Sequence, residues 1–524
     1  MTKTVRIILI TLSTLLVLAI VGYFVANTII SSKVENFLKT ELPENLSVDY
    51  KSLIVSIWQG SIVLVEPKIV NKGSHSSKTI IEVELDTVMV DGFGIWNYLV
   101  NDKINVQDVK LRRPKLLYNH NKAIPKSEYK QSSQKQLQQD VTIERFNIQN
   151  AEISVKDFET DSLMFQTENL TANVRAIEID SATVKKRMPF KYEGYNISID
   201  SLFYAMGEYE NLKIATVNIT QNEANFMDLK LYTKYSKEEF DRMISIERDH
   251  FDVSIAKLTL QDQEFGYDKD SIFYFKSPKT IFETPEMYIY RNKLIADDLT
   301  RKNLYSKMLR EIKFDLTLSE VALNNATIVY SEKVNADMGA GQLSFSSMSA
   351  DIKNISNTYG ESEKTTLDID AVFMAQTPLK VNWEFDVNDV NDTFIFKVDL
   401  GKLPAADLNT FSKPNLKVNL EGELLQTYAT VSGDANTSRV DMKVNYEDFK
   451  VEVLDGEAKK KKTVLSAIAN LFIAKSSDKA SDGFREGNKE GIERNYTKSI
   501  FNFLWISIKS GLTSVLTGDG KSKD

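Results

Sequence analysis

A fixed spacing of apolar positions recurs four times along the chain, and we name it the comb. In each copy, apolar or small residues fall at offsets of 0, 2, 5, 7, 10, 12 and 14 from the first residue, with Gln263 as the one departure. The copies begin at Ile104, Val141, Val253 and Leu316. A step of two residues keeps both side chains on one face of an extended chain. The comb therefore predicts half-buried β-strands and not helices.

The steps of three residues inside the comb reverse the alternation of faces. A strand accommodates such a reversal with a bulge or a turn, and we interpret the first step as a bulge or twist. The second step coincides with residues that favour tight turns, Asn150, Asp262, Asn324 and Asn325. Each copy is therefore expected to be a strand, a short turn and a returning strand, which is a β-hairpin with one apolar face.

An uncharged segment of 26 residues, positions 7–32, precedes the first predicted strands. As a helix it would reach roughly 39 Å at about 1.5 Å per residue, more than the ~30 Å hydrocarbon core of a bilayer. A cleaved signal peptide is the alternative, but no small-x-small cleavage site follows the apolar core. We therefore expect an uncleaved transmembrane helix. Lys3 and Arg6 precede it, so the amino terminus is expected in the cytoplasm and the chain after residue 32 on the far side of the membrane.

The chain beyond this segment changes character several times. The Gln-rich stretch at 131–139 has no apolar face and is typical of a linker or a flexible hairpin tip. The predicted segments are a transmembrane anchor at 1–32, an N-terminal module at 33–130, the linker at 131–140, a β-hairpin array at 141–455 and amphipathic helices at 456–524. Short helices are expected at 33–42, 94–101, 235–251, 297–311 and 464–472.

Composition narrows the class of protein only slightly. With 42% hydrophobic and 26% charged residues the chain has an ordinary globular balance, which excludes disorder. The net charge of −8 argues against a partner with a phosphate backbone, so no nucleic acid is expected. The absence of cysteine removes disulfides, thiol nucleophiles and zinc–thiolate sites, and it suits an oxidising compartment.

No arrangement of residues indicates catalysis. His75, His120 and His250 are far apart in polar surroundings, so we expect them to lie at the solvated surface. The Gly339–Ala340–Gly341 run lacks the third glycine of a dinucleotide loop. The acidic stretch 386–392 lacks the glycine and the distal glutamate of a calcium loop and is typical of a hairpin tip. We therefore expect no enzyme activity, no metal and no cofactor.

The order of motifs resembles the AsmA-like superfamily of bacterial envelope proteins, which includes TamB-related, bridge-like proteins. The resemblance begins with the uncharged segment and continues through WQGSIVLVEPKI, the short GIWNYLV segment and INVQDVKLRRPKLLY. Near the end, LEGELLQTYATVSGDANTSRVDMKVNYEDFKVEVL is similar to the closing strands of that superfamily. The resemblance implies an elongated, curved antiparallel β-sheet groove that shields lipid tails in the periplasm.

Two functions fit this pattern. The first is an inner-membrane-anchored periplasmic protein that binds or conducts phospholipid along a hydrophobic β-groove and supports envelope or outer-membrane lipid homeostasis. The second is a structural or assembly factor for outer-membrane proteins whose hairpins pack into a closed core, since a closed sandwich and an open trough give the same alternation. The candidate groove residues are Ile104, Val106, Val109, Leu111, Val141, Ile143, Phe146, Ile148, Val253, Ile255, Leu258, Leu260, Leu316, Leu318, Val321 and Leu323.

The last apolar segment predicts an amphipathic helix at 501–515. Its stripe includes Phe501, Leu504, Trp505 and Ile508. This helix is expected either to lie at a membrane interface or to cap the end of the sheet. We take these four residues as the candidate contact with a partner at the far end of the sheet. That partner is either a membrane or a docking protein of the outer membrane or the periplasm.

Overall fold

The protein is mainly β, with 60% strand and 12% helix, and its sheet is mixed. The computed structural model describes residues 45–72, 79–94, 103–122, 139–269, 271–360, 363–374, 376–454 and 483–517, together with 27–28, 31–32, 34–36, 38, 42 and 477. The mainly-β prediction is confirmed. Within these residues, no helix has both the length and the hydropathy needed to cross a bilayer.

Several predicted elements fall wholly or partly outside the described residues. They are the transmembrane helix at 7–32, the helices at 33–42, 94–101 and 464–472, and the Gln-rich linker. The chain divides into two compact units, one with residues up to Met206 and Lys213–Ala224, the other with Gly207–Leu212 and residues from Asn225 onward. The domain boundaries expected from the sequence stay predictions.

Most strands of the first unit are short, and two have 17 residues. β13 and β15 contribute residues to both units. The strands are β1 Leu46–Asp49, β2 Ser52–Ser56, β3 Ser61–Val65, β4 Lys68–Lys72, β5 Thr79–Glu84, β6 Thr87–Asp91, β7 Ile104–Arg112, β8 Lys115–His120, β9 Val141–Asp157, β10 Leu163–Ile179, β11 Gly194–Ile199, β12 Ser201–Ala205, β13 Glu210–Ile214, β14 Thr216–Thr220 and β15 Glu223–Thr233.

Strand order in the first unit follows two series that share β9 and β10. One series is β2–β3–β6–β7–β9–β10–β11–β14, and the other is β1–β4–β5–β8–β9–β10–β12. All these pairs are antiparallel except that β7 and β8 run parallel to β9. The prediction of an antiparallel sheet is therefore wrong here. Residues 121–140 separate β8 from β9, which is enough chain for the crossover that a parallel pair needs.

The second unit contains the longest strands and the helices. Its strands are β16 His250–Gln261, β17 Glu264–Tyr267, β18 Phe273–Glu283, β19 Glu286–Asn292, β20 Asp315–Lys333, β21 Gly341–Ser356, β22 Thr365–Phe373, β23 Thr377–Phe385, β24 Phe394–Leu400, β25 Leu403–Pro404, β26 Val418–Gly433, β27 Thr437–Val453 and β28 Arg485–Glu493. Its helices are α1 Lys237–Met243, α2 Tyr305–Arg310, a 3-10 helix Ala405–Leu408, α3 Asn409–Leu416 and α4 Ile500–Thr517.

The second unit resembles the first in that two successive strands run parallel to a later, longer strand. β18 and β19 run parallel to β20, after a connection of residues 293–314 that contains α2. From β20 the order is β21, β22, β23, β24, β26, β27 and β28, all antiparallel. The helix expected at 235–251 is confirmed as the shorter α1, and only α2 is helical within 297–311.

The comb copies are kinked strands and not hairpins, so the predicted turn and return are wrong. β9 and β20 each run through a whole copy without a break, and β7 and β8 both run parallel to β9. The residue at offset 9 has a positive φ in every copy: Arg113 46°, Asn150 54°, Asp262 47° and Asn325 53°. One left-handed residue shifts the alternation and bends the strand without reversing its direction.

The first step of three in the comb has its left-handed residue on the neighbouring strand. The register places Gly92, Ala176, Thr284 and Asn354, all with positive φ, opposite offset 3 of the four copies. The comb residues on either side keep their half-buried state, as at Ile143 and Phe146, while Glu144 and Arg145 between them are exposed. The predicted twist at this step is thus present, and a residue of the adjacent strand produces it.

The densest packing of the described residues is in the C-terminal part of the second unit. α4 packs on β26, β27 and β28 and buries Ile500, Phe503 and Leu504 among strand residues such as Val431 and Val440. Farther along the helix, Val515 and Leu516 join Met442, Val444 and Tyr446. This end of the strand array therefore has a closed core.

Candidate apolar binding face

A continuous row of apolar residues crosses eight strands of the first unit. Each member is the direct cross-strand neighbour of the next, so the row runs perpendicular to the strands. We name it the first row: Leu53, Leu64, Val88, Leu111, Ile148, Ala172, Ile197 and Ile219. Seven spacings of about 4.8 Å give it a length of roughly 34 Å.

A second row lies beside the first, two residues along each strand. It consists of Val55, Ile62, Val90, Val109, Phe146, Val174 and Tyr195. Two predicted copies of the comb meet here, because Ile104 pairs with Val141 and the same shift continues along both strands. The structure therefore brings the eight groove candidates of the first unit together in four lateral pairs.

These rows are only partly covered. In the first row Ala172 is buried, whereas Leu53, Leu111, Ile148 and the other members are half-buried. The extensive helix–strand contacts of the described residues involve β20, β21, β26, β27 and β28, none of which carries these rows. An apolar face that is neither fully exposed to solvent nor fully covered by a packed layer is a typical binding surface.

A lateral row of apolar residues also crosses the second unit, and it contains two of the groove candidates, Leu258 and Leu323. The third row begins at the half-buried Leu258 and ends at Met442, which is 3% exposed beneath α4. Its members are Leu258, Phe282, Leu323, Ala350, Ile369, Val381, Val398, Ala429 and Met442. The row is half-buried from Leu258 to Leu323, alternates between buried and half-buried members from Ala350 to Val398, and is buried at Ala429 and Met442.

Most of the candidates are half-buried and four are fully buried. Val106, Val253, Ile255 and Val321 are between 6% and 9% exposed. Leu260 is opposite Thr280, and Leu316 and Leu318 are beside Phe275 and Ser277 of the parallel strand. The four buried residues offer the least surface to a ligand.

A fifth copy of the comb begins at Phe275 and was not recognised from the sequence. It lies parallel to the copy at Leu316 with a constant shift, and Thr284 occupies its offset 9 with φ 44°. Ser277 and Thr280 stand at two apolar offsets, are 1% and 2% exposed, and hydrogen-bond with each other. Because these positions are polar, a search for apolar spacing misses the copy. Allowing buried Ser and Thr at comb positions would have found it.

The C-terminal candidates split between the core and the surface. Leu504 is 4% exposed within the core, and Ile508 packs against the same side chains. Phe501 and Trp505 remain 61% and 42% exposed, with ring centroids 6.3 Å from Trp383 and Phe411 respectively. The helix was expected either to lie at a membrane interface or to cap the end of the sheet, and its buried face packs on the sheet as a cap does. Of the four candidates, the two aromatic residues expose the most surface to an outside partner.

A buried ion network ties the start of α4 to the strands. The Glu247 side chain is 3% exposed and accepts bonds from Lys293 Nζ at 2.5 Å and Lys498 Nζ at 3.0 Å. Lys498 also reaches Asp297 at 2.8 Å. Burial opposes ionisation of Glu247, but the two lysines outweigh it and hold the pKa of Glu247 below its usual value. The network is a structural clamp.

The residues considered for catalysis have structural surroundings. His250 Nε2 lies 2.8 Å from the Tyr235 carbonyl and its ring packs on Phe240, so the expectation of a solvated His250 is wrong. His120 is half-buried beside Tyr118, and His75 lies outside the described residues. Asp392 of the acidic loop is buried and binds Arg310. Within the part of the chain that the structure describes, no cluster of acidic, His or Cys side chains has a metal-binding arrangement.

No protein-family model matches the chain, and a search of curated proteins likewise finds no match. What the protein does is therefore inferred from the geometry and chemistry of its own residues.

Proposed function

We propose that the protein is anchored in the inner membrane, that its bulk lies in the periplasm, and that it binds or conducts phospholipid along a hydrophobic β-groove. In this proposal the protein supports lipid homeostasis of the cell envelope and belongs with the AsmA-like proteins that its motifs resemble. The observation that carries it is the half-buried first row, which crosses eight strands from Leu53 to Ile219.

The mechanism needs no catalytic residue. An acyl chain lying along the first and second rows would be kept from water, and each buried methylene contributes about 0.8 kcal/mol. The rows run across the strands, so their side chains repeat every ~4.8 Å and give similar contacts at each step. A ligand held by repeated, similar contacts can slide with small barriers, while its polar headgroup stays in water.

The closed end of the second unit sets a limit on the path. Beneath α4 the third row is fully buried by the protein itself, at Ala429 and Met442. We place the lipid-binding surface on the half-buried rows and not in this core. The exposed Phe501 and Trp505 are then the proposed contact of this end with a membrane or a docking protein.

The test is phospholipid that co-purifies with the full-length protein, measured by mass spectrometry after solvent extraction. Leu111 and Ile148 are lateral neighbours on the first row, and Arg112 and Gln149 are the exposed neighbours one residue along. We expect Leu111→Glu with Ile148→Glu to remove most of the bound lipid, because two carboxylates would meet the acyl chain. Arg112→Glu with Gln149→Glu introduces two new glutamates and should retain it.

Circular dichroism of both variants separates lost binding from lost folding. Folded wild-type protein without phospholipid above a detergent blank would contradict the proposal. The protein would then be better described as a structural or assembly factor with a closed core, the function that the packing beneath α4 favours.

A further inference from the structure

The β2 edge of the first unit lacks the charges that normally protect an exposed edge strand. Among the described residues β2 pairs with β3 alone. Residues 52–65, which include both strands and their turn, contain no charged side chain. By contrast β28, which pairs only with β27 among the described strands, contains five charged residues in Arg485–Glu493. Edge strands that face water are usually guarded by charge, so the β2 edge is suited to a less aqueous environment.

The free side of β2 is held by one side chain from the uncharged segment. Asn27 Nδ2 donates to the Val55 carbonyl at 2.7 Å, and the Ile57 amide donates to Asn27 Oδ1 at 3.1 Å. The Asn27 amide thus makes hydrogen bonds of the kind that a neighbouring strand would make at this edge. This contact fixes the β2 edge against position 27.

Position 27 has a particular depth if residues 7–32 form the proposed anchor. A hydrocarbon core of ~30 Å takes about 20 helical residues, and in that case positions 7–26 would supply them. Asn27 is then the first residue beyond the core, at the level of the lipid headgroups. The backbone it binds, from Val55 to Ile57, would lie at the same level.

Trp58 follows this backbone directly and is 78% exposed. Its turn is firmly held, since the Gly60 amide bonds the Ile57 carbonyl and the Phe93 amide bonds the Gly60 carbonyl. Gly60 has φ 58°, and a Cβ there would approach Phe93 O within 2.8 Å. A rigid turn that displays one large indole is typical of an anchor in the interfacial region of a bilayer.

We infer that Asn27 clamps the β2 edge to the surface of the anchoring membrane, with Trp58 inserted among the headgroups as a second, peripheral anchor. The inference rests on the proposed membrane anchoring and deepens it, because the first and second rows begin on β2 at Leu53 and Val55. These rows would open directly onto the outer leaflet of that membrane.

The absence of cysteine allows a direct test with the full-length protein in phospholipid nanodiscs. Trp58→Cys and Gln221→Cys variants are each labelled with an environment-sensitive fluorophore, the second at the far end of the rows beyond β14. Lipids that carry a quencher at the headgroup level should quench the label at position 58 at least about twofold more than the label at position 221. Adding Asn27→Ala should reduce that quenching, because the edge is released.

Three outcomes of the labelling experiment would overturn the inference. They are a label at position 58 that behaves as in water, a label that is shielded but insensitive to the quencher and so covered by protein, and quenching that Asn27→Ala leaves unchanged. Failure of the protein to incorporate into nanodiscs would also contradict it. The lipid extraction above is an independent readout: lipid bound without quenching removes the docking alone, and quenching without bound lipid removes the groove alone.

Discussion

Left-handed residues shape every comb copy at the scale of single residues. At offset 9 they are mostly Asn or Asp, which tolerate a positive φ better than most residues do, but Ala176 occupies the same region at φ 52°. The sequence indicates an unusual backbone conformation at Asn150, Asp262 and Asn325, which is confirmed, but the turn predicted there is wrong. A positive φ serves a bulge as well as a turn, and local residue preference does not distinguish them.

Ala176 and Ala172 provide a matched pair of substitutions on β10. Ala176→Gly should stabilise the protein by about 1 kcal/mol, because an L-residue in the left-handed region costs roughly 1–2 kcal/mol and glycine does not. Ala172→Gly, at an ordinary strand position, should destabilise it by about 1 kcal/mol. Urea denaturation measures both, and effects of the same sign would contradict this role for φ.

The Glu247 network predicts a pH dependence. Because the folded-state pKa of Glu247 is lowered, the network stabilises the fold fully above the unfolded-state value of about 4.3, and its contribution is lost as pH falls through the folded-state pKa. Glu247→Gln should therefore lose less stability than wild type when pH falls from about 6 to about 3. Glu490→Gln, at an exposed pair with Arg439, should behave like wild type. Urea midpoints at the two pH values decide, and equal acid losses in wild type and Glu247→Gln would refute the role.

At the scale of elements, α4 was predicted as a helix but not in its orientation. The apolar spacing indicated a stripe through Phe501, Leu504, Trp505 and Ile508. The structure instead buries Ile500, Phe503 and Leu504 and leaves Phe501 and Trp505 outside. A helix that is apolar around most of its circumference has no unique face in its sequence, so the sheet it packs on selects the face.

Phe503 and Phe501 test that orientation with the same substitution. Phe503→Ala should cost about 3–5 kcal/mol, because the ring is 1% exposed in the core. Phe501→Ala should cost less than about 1.5 kcal/mol, the scale of its edge contacts with Tyr305 and Trp383. Thermal or urea unfolding of the two variants gives the comparison. A Phe501 variant that unfolds as readily as the Phe503 variant would place position 501 in the core.

At the scale of the whole molecule, strand content and face were predictable, whereas strand direction was not. The comb predicts which side chains share a face. The apolar residues it selects between Ile104 and Leu111 do lie beside those it selects between Val141 and Ile148. The parallel pairs depend on the crossovers at 121–140 and 293–314, and an alternating pattern reads the same in either direction. The spacing of apolar residues also does not predict whether the face of the third row is open, because that depends on where α4 packs.

The most direct measurement of the central claim is site-specific photo-cross-linking in living cells. A photoreactive amino acid at Leu111, on the half-buried first row, should capture phospholipid, and the same amino acid at the exposed Arg112 should not. Mass spectrometry of the cross-linked peptide identifies the adduct. Phospholipid captured at position 111 alone is the predicted result. Capture at neither position, or equal capture at both, would contradict a lipid path along this row.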